Sequence, residues 1–194
     1  NVTIPHKENV INYLDELHPE AKNVGAANTI KIIRKENTVY TIGYNTDVYG
    51  FSQSLKPLLR SNHYKALILG NGGAAKAVKY VLKKLGIEII TVSRSNTGNF
   101  TYEQLNKNII ENIPLIINTT PLGMHPDVGC YPDIPYQFIT KNHLCYDLIY
   151  NPEETLFLKK AKQQGALISN GYNMLVLQAE QAWKIWNEKI KMLN

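Results

Sequence analysis

The chain has 194 residues, 44% of them hydrophobic and 19% charged, which is enough to bury a core in one large or two small globular domains and too apolar for disorder. No run approaches the roughly 18 apolar residues of a membrane-spanning helix, and the start lacks a signal-peptide layout, so a cytoplasmic protein without membrane contact is expected. Lys and Arg outnumber Asp and Glu, 21 to 16, a net charge of +5 that admits nucleic acid, anionic metabolites or a phosphorylated cofactor; Cys130 and Cys145, without metal-ligand spacing, exclude a disulfide scaffold and argue against any metal.

An extended opening segment, residues 1–5, leads into a helix predicted from Val10, Ile11, Leu14 and Leu17 at helical spacing and closed by His18-Pro19. Residues 29–35 and 38–43, rich in Ile, Thr, Val and Tyr, flank Glu36-Asn37 and read as a hairpin. Asn45-Thr46-Asp47 supplies capping chemistry for a second helix whose stripe is Val48, Phe51, Leu55, Leu58 and Leu59, and Ser61-Asn62-His63 reads as a linker. From Tyr64 the pattern changes to a short buried strand, 66–69, a tight Gly70-Asn71-Gly72-Gly73 turn, and a helix over 74–85 stopped by Gly86. Apolar runs at 87–92, 115–118 and 144–148, separated by helical or turn-rich stretches, have the pattern of a parallel sheet covered on both faces. Helices are predicted over 153–164, behind Asn151-Pro152, and over about 174–192, with Ile168 on a short strand between them.

Gly70-x-Gly72-Gly73-x-Ala75 joins a strand to a helix. Glycines let backbone approach a pyrophosphate, and the free amides of a helix N-terminus favour its charge; the plain alternative is a tight turn. The next strand ends in Ser93-Arg94-Ser95 instead of the acidic residue that would hold an NAD ribose. A guanidinium can pair with a 2′-phosphate, so the position favours NADP, unless Arg94 is only a solvated cation. Residues 118–124, Asn-Thr-Thr-Pro-Leu-Gly-Met, and 147–152 fall at strand ends, where ligands bind in such sheets, though both are also ordinary turn sequences. Lys7 starts the predicted first helix against the helix dipole, which hints at function, yet taken alone it reads better as a surface lysine beside Glu8. Asp47 is readable as a helix cap, and a Lys–Asp pair could serve as proton donor and acceptor if the two meet. The five histidines show no ligand spacing and default to surface or loop roles.

Together these motifs resemble the shikimate dehydrogenase family. The resemblance runs nearly end to end, through residues 1–7 (Asn-Val-Thr-Ile-Pro-His-Lys), 25–29 (Gly-Ala-Ala-Asn-Thr), 43–50 (Gly-Tyr-Asn-Thr-Asp-Val-Tyr-Gly), the Gly70 turn, Ser93-Arg94-Ser95, residues 118–124 and 147–152, and residues 170–175 with Gln178. It implies an α/β chain: an incomplete N-terminal α/β substrate domain, residues 1–60, completed by closing helices within 172–194, and a Rossmann-like NADP-binding domain with a parallel sheet, residues 61–171. It also implies Lys7 and Asp47 as the catalytic pair, and Asn1, Thr3, Asn28, Tyr150 and Gln178 around the substrate. Gly70, Gly72, Gly73 and Ala74 would carry the pyrophosphate, Ser93, Arg94 and Ser95 the 2′-phosphate end, and Thr119, Leu148, Gly171 and Met174 the ribose or nicotinamide. The implied activity is NADPH-dependent reduction of 3-dehydroshikimate to shikimate in aromatic amino-acid biosynthesis. A monomer or homodimer is expected, and nucleic-acid binding is not, because the lysines are dispersed and no aromatic stacking motif accompanies them.

Asn173 and Trp183 depart from the family pattern, where Gly and Phe are usual; the first is expected in a loop whose left-handed backbone Asn tolerates, the second on a packing face. Family members also carry a preceding segment with a strand and a Ser-x-Ser motif that grips the substrate carboxylate. Without it, an exposed sheet edge and little activity are expected of these 194 residues. The rival expectations are a quinate/shikimate dehydrogenase tolerant of NAD, which Arg94 opposes, and a non-catalytic dinucleotide-binding module.

Overall fold

Where apolar residues alternate with polar ones the chain forms a small mixed sheet, and where they run unbroken it forms a parallel sheet buried on both faces. The computed structural model describes residues 1–3, 5–95 and 97–188. The first sheet has the order β1-β3-β2, from β1 (Glu16–Leu17), β2 (Thr29–Lys35) and β3 (Thr38–Tyr44). β2 and β3 are an antiparallel hairpin running from Thr29 opposite Tyr44 to Lys35 opposite Thr38, closed through Glu36 at φ 51°, while β1 lies parallel to β3. β2 stands at a sheet edge among the described residues, and Ile32, Val39 and Tyr40 are exposed.

β4 (Lys65–Leu69), β5 (Glu88–Val92), β6 (Leu115–Asn118), β7 (Leu144–Asp147) and β8 (Leu167–Ser169) form the second sheet, parallel throughout in the order β5-β4-β6-β7-β8. Successive side chains leave opposite faces, so each strand feeds two cores. Ala66, Ile68, Leu115, Ile117 and Tyr146 pack with α2 (Thr46–Leu55) and α3 (Gly73–Lys84), while Leu67, Leu69, Ile116 and Cys145 pack with α4 (Lys107–Glu111) and α5 (Leu156–Gln163). α2 thus belongs to the core of the second sheet: Phe51 meets Tyr146 edge to face at 5.4 Å, and Ser54 Oγ shares a 2.7 Å hydrogen bond with the Tyr146 hydroxyl. α6 (Tyr172–Asn187) crosses α2 at Gly50, where a Cβ would stand 2.6 Å from the Met174 carbonyl oxygen.

Several expectations are corrected. Residues 10–17 do not form a helix. Asn9–Tyr13 makes one 3-10 turn and Glu16–Leu17 is strand, and Pro19 opens α1 (Pro19–Val24) instead of closing a helix, because a first-turn residue needs no amide hydrogen. Val2 N–H donates to Asn28 O at 2.7 Å. Asn45, not Asp47, caps α2, which ends at Leu55, and α5 starts behind Thr155, not Asn151-Pro152. α4, five residues behind the Asn106 cap, was not foreseen. His63 and His143 are core residues, at 4% and 3% exposure, each taking a backbone amide proton bond on Nδ1. The supposed linker is therefore anchored. The predicted end of α6 lies outside the described residues.

Candidate active site

Lys7 lies in a turn ahead of Asn9–Tyr13, and Asp47 is the second residue of α2, forty positions later. The fold joins them: Lys7 Nζ donates to Asp47 Oδ2 at 2.7 Å, with side chains 20% and 14% exposed. Asn28, buried just ahead of β2, fixes the carboxylate from its other side, its Nδ2 donating to Asp47 Oδ1 at 2.9 Å. Asn28 Oδ1 accepts in turn from Thr46 N at 2.8 Å, so the side-chain amide is held at both ends. The Asp47 carboxylate also sits in the first turn of α2, where the helix dipole favours a negative charge.

Other predicted substrate residues gather around this pair. Asn1 Oδ1 accepts from Thr29 Oγ1 at 3.2 Å, and Gln178 of α6 accepts on Oε1 from Thr46 Oγ1 at 3.3 Å. Thr3 is exposed and its carbonyl accepts from His6 N at 2.9 Å. Tyr150, 48% exposed, lines a cavity of about 350 Å³ with Glu153, Asn170, Tyr172 and Asn173. Asn173 is helical, inside the first turn of α6, so the left-handed question does not arise there; Trp183, expected on a packing face, is 66% exposed on the outer side of α6.

A second cluster lies at the carboxyl ends of the parallel strands. Gly70, at φ +102°, ends β4 in a conformation that suits glycine, and a Cβ there would stand 2.9 Å from Thr119 Oγ1. Gly72 caps α3 without any side chain taking the first-turn amides, and a Cβ on Gly72 would meet nothing within 4 Å. Gly73 and Ala74 open α3 behind it. This leaves free donors and room for an anion against the backbone, so the residues fit a dinucleotide pyrophosphate. Ser93, Arg94 and Ser95 follow β5, with Arg94 and Ser95 exposed.

Neighbouring residues of that cluster have structural work. Thr119 bonds the Leu69 carbonyl through both N and Oγ1, at 2.9 and 2.7 Å, and Leu148 N donates to Asn118 O at 3.1 Å. Gly171 donates to Ile149 O at 3.0 Å, and a Cβ there would overlap the Leu148 carbonyl; Met174 packs on the first core. Asp147, fully buried, accepts from Asn118 Nδ2 (3.0 Å), Ile149 N (3.1 Å) and Thr155 Oγ1 (2.6 Å). Burial outweighs those bonds and pushes its pKa up to about 6. It pins the end of β7 to the cap of α5.

The arrangement is that of an α/β protein with a Rossmann-like parallel sheet and a lysine–aspartate pair. Residues 1–30 match the family model of the shikimate dehydrogenase substrate binding domain. The chain is 41% identical to the shikimate dehydrogenase (NADP(+)) of Caldanaerobacter subterraneus subsp. tengcongensis, over 96% of this chain and 71% of that protein. Among solved structures, the shikimate 5-dehydrogenase of Thermus thermophilus, in complex with NADP(H) and shikimate, superposes with a TM-score of 0.80 at 30% identity, covering 96% of this chain and 72% of that one. The quinate dehydrogenase of Corynebacterium glutamicum, in complex with NAD, gives 0.83 at 26%, covering 96% and 71%. The chain belongs to the shikimate dehydrogenase family.

Proposed function

We propose that the chain carries out NADPH-dependent reduction of 3-dehydroshikimate to shikimate, with Lys7 and Asp47 as its catalytic residues. The observation that carries this reading is the 2.7 Å Lys7–Asp47 pair, with Asn28 orienting the carboxylate. When bound, NADPH supplies the hydride for the substrate ketone. The Lys7 ammonium donates a proton to the oxygen that becomes the hydroxyl, and takes it back in the oxidative direction. Asp47 holds that ammonium in place through their 2.7 Å bond. Asn1, Thr3, Asn28, Tyr150 and Gln178 bind and orient the substrate hydroxyls and carboxylate.

Gly70, Gly72, Gly73 and Ala74 present backbone amides to the pyrophosphate; Ser93, Arg94 and Ser95 meet the 2′-phosphate; Thr119, Leu148, Gly171 and Met174 flank the ribose and nicotinamide. We assign residues 1–60, with the closing helix from 172, to a substrate domain and residues 61–171 to a cofactor domain. We place the protein in the cytoplasm as a monomer or homodimer that binds no nucleic acid. A quinate dehydrogenase in complex with NAD is among the structural neighbours, so quinate with NAD is the second reading. Steady-state oxidation of shikimate and of quinate, each with NADP and with NAD, by the natural polypeptide carrying these residues tests the two. Shikimate with NADP is expected to give the highest kcat/KM; a higher value for quinate with NAD overturns the first reading.

A further inference from the structure

Lys79 lies two turns into α3, seven residues after the Gly72 cap. Long helical side chains lean toward the N-terminus, so its ammonium reaches back to the glycine turn and donates to Asn71 Oδ1 at 2.5 Å. The Asn71 amide nitrogen then donates across the sheet end to Thr97, to its carbonyl at 3.2 Å and its hydroxyl at 3.3 Å. Thr97 Oγ1 lies 3.2 Å from Ser93 Oγ and 3.1 Å from Ser95 Oγ, and the Ser93 hydroxyl donates to the Ser95 carbonyl, a bond it would exchange for one to a ligand. A half-buried cation and three clustered hydroxyls therefore meet beside the two loops that follow β4 and β5. Among the described residues no carboxylate pairs with Lys79, whose only hydrogen bond is the one to Asn71.

Such a group suits a compact dianion. Hydroxyls can donate to phosphate oxygens, and an ammonium without a counter-ion supplies charge. Burial first, and then the neighbouring Lys83 charge, lower the Lys79 pKa, a cost that an incoming dianion would relieve. Asn71, Arg94, Ser95 and Thr97 are exposed, so the cluster is open to a ligand from solvent.

We infer that Lys79, with Asn71, Ser93, Ser95 and Thr97, forms the subsite for a phosphate monoester on the adenosine ribose, which makes Lys79 a specificity-determining residue for NADP over NAD. This rests on the dinucleotide reading above and extends it to a residue on a different element from the Ser93-Arg94-Ser95 loop. In the bound state Lys79 exchanges its bond to Asn71 for one to the phosphate, and Asn71 continues to tie the two loops.

The test is calorimetric titration of the protein and of its Lys79→Met and Lys79→Gln variants with NADP, NAD, adenosine 2′,5′-bisphosphate, AMP and inorganic phosphate. Gln keeps a donor for Asn71 but no charge, so it separates the loop tie from the electrostatics. Both variants are expected to lose about tenfold or more in affinity for NADP and the bisphosphate, the worth of a charge-assisted hydrogen bond, with NAD and AMP within about twofold. Inorganic phosphate alone is expected to bind far more weakly than the bisphosphate. Equal losses for NADP and NAD would overturn the proposal by reducing Lys79 to a loop brace. An unmoved NADP affinity would overturn it directly. A parent protein that binds NADP no better than NAD would overturn the NADP reading itself, whereas a clear parent preference that survives both variants would refute Lys79 alone.

Discussion

The Glu8 carboxylate ties the segment carrying Lys7 to the first turn of α3: Oε2 pairs with Lys76 Nζ at 2.7 Å, and Oε1 lies 3.6 Å from the place a Cβ on Gly73 would occupy. An acidic side chain thus stands beside the helix N-terminus where a pyrophosphate is expected, next in sequence to the proposed catalytic lysine.

Both partners of this pair are about half exposed, 42% for Lys76 and 48% for Glu8, so it contributes little stability, of order 0–1 kcal/mol. Its competition with an anion is the larger effect. Glu8→Gln should leave urea unfolding within about 1 kcal/mol of the parent and tighten dinucleotide binding a few-fold, the ~0.3–1 kcal/mol of a charge at a helix terminus. Weaker binding in a titration of that variant would show instead that Glu8 supports the closed arrangement of the site.

A backbone approach sets the second prediction. At Gly50 an added methyl would meet the Met174 carbonyl oxygen at 2.6 Å and the Gln178 Cβ at 2.9 Å, and backbone does not yield as a flexible side chain would. Gly50→Ala should destabilise by about 1–3 kcal/mol, the usual cost of overpacking, despite alanine's better helix propensity. It should also displace Gln178. Chemical denaturation checks the first effect, and a stability equal to the parent's would show that α2 and α6 can part freely.

Acid should act through His63. Burial above all, then the Arg60 charge, lowers its pKa from the ordinary value near 6.5, while a bond to the Asn142 backbone partly restores it. The folded imidazole, accepting from Arg60 N at 3.0 Å, refuses a proton that the unfolded chain takes up. Its contribution is therefore fully present above about pH 6.5 and is lost as pH falls toward the depressed folded value. Asp147 works in the opposite sense: its raised pKa of about 6 adds stability as pH drops through that value. Comparing melting temperatures of parent and His63→Asn between pH 7.5 and 5 isolates the histidine. The variant should lose less on acidification, and parallel curves would remove His63 as the cause.

The second sheet was legible because its strands are short unbroken apolar runs, and residues 115–118 and 144–147 prove buried throughout. The hairpin was legible from β-branched residues around Glu36-Asn37. Residues 10–17 misled because Leu14 and Leu17 share a surface without sharing a helix; both close over Gly43 from extended chain, where a Cβ would meet them at 2.5 and 2.8 Å. Five-residue α4 is too short to show a period. At the site, residue types were legible and meetings were not. Nothing local says that Lys7 and Asp47, forty residues apart, touch, nor that Asn28 holds the carboxylate. Lys79 carried one faint signal, its seven-residue spacing from Gly72 on the same face of α3, and Glu8 carried none beyond its place beside Lys7.

The central claim is that Lys7, held by Asp47, moves the proton of the reacting hydroxyl. Its most direct test is the steady-state rate of shikimate-dependent NADP reduction by the natural polypeptide and its Lys7→Met variant, with NADP affinity measured alongside. The account predicts a fall in kcat of about a hundredfold or more with NADP affinity nearly unchanged, since acid–base catalysis contributes roughly that much and Lys7 is not among the residues proposed to hold the cofactor. Undiminished turnover in the variant would contradict it, and would return Lys7 to the role of a structural partner for Asp47.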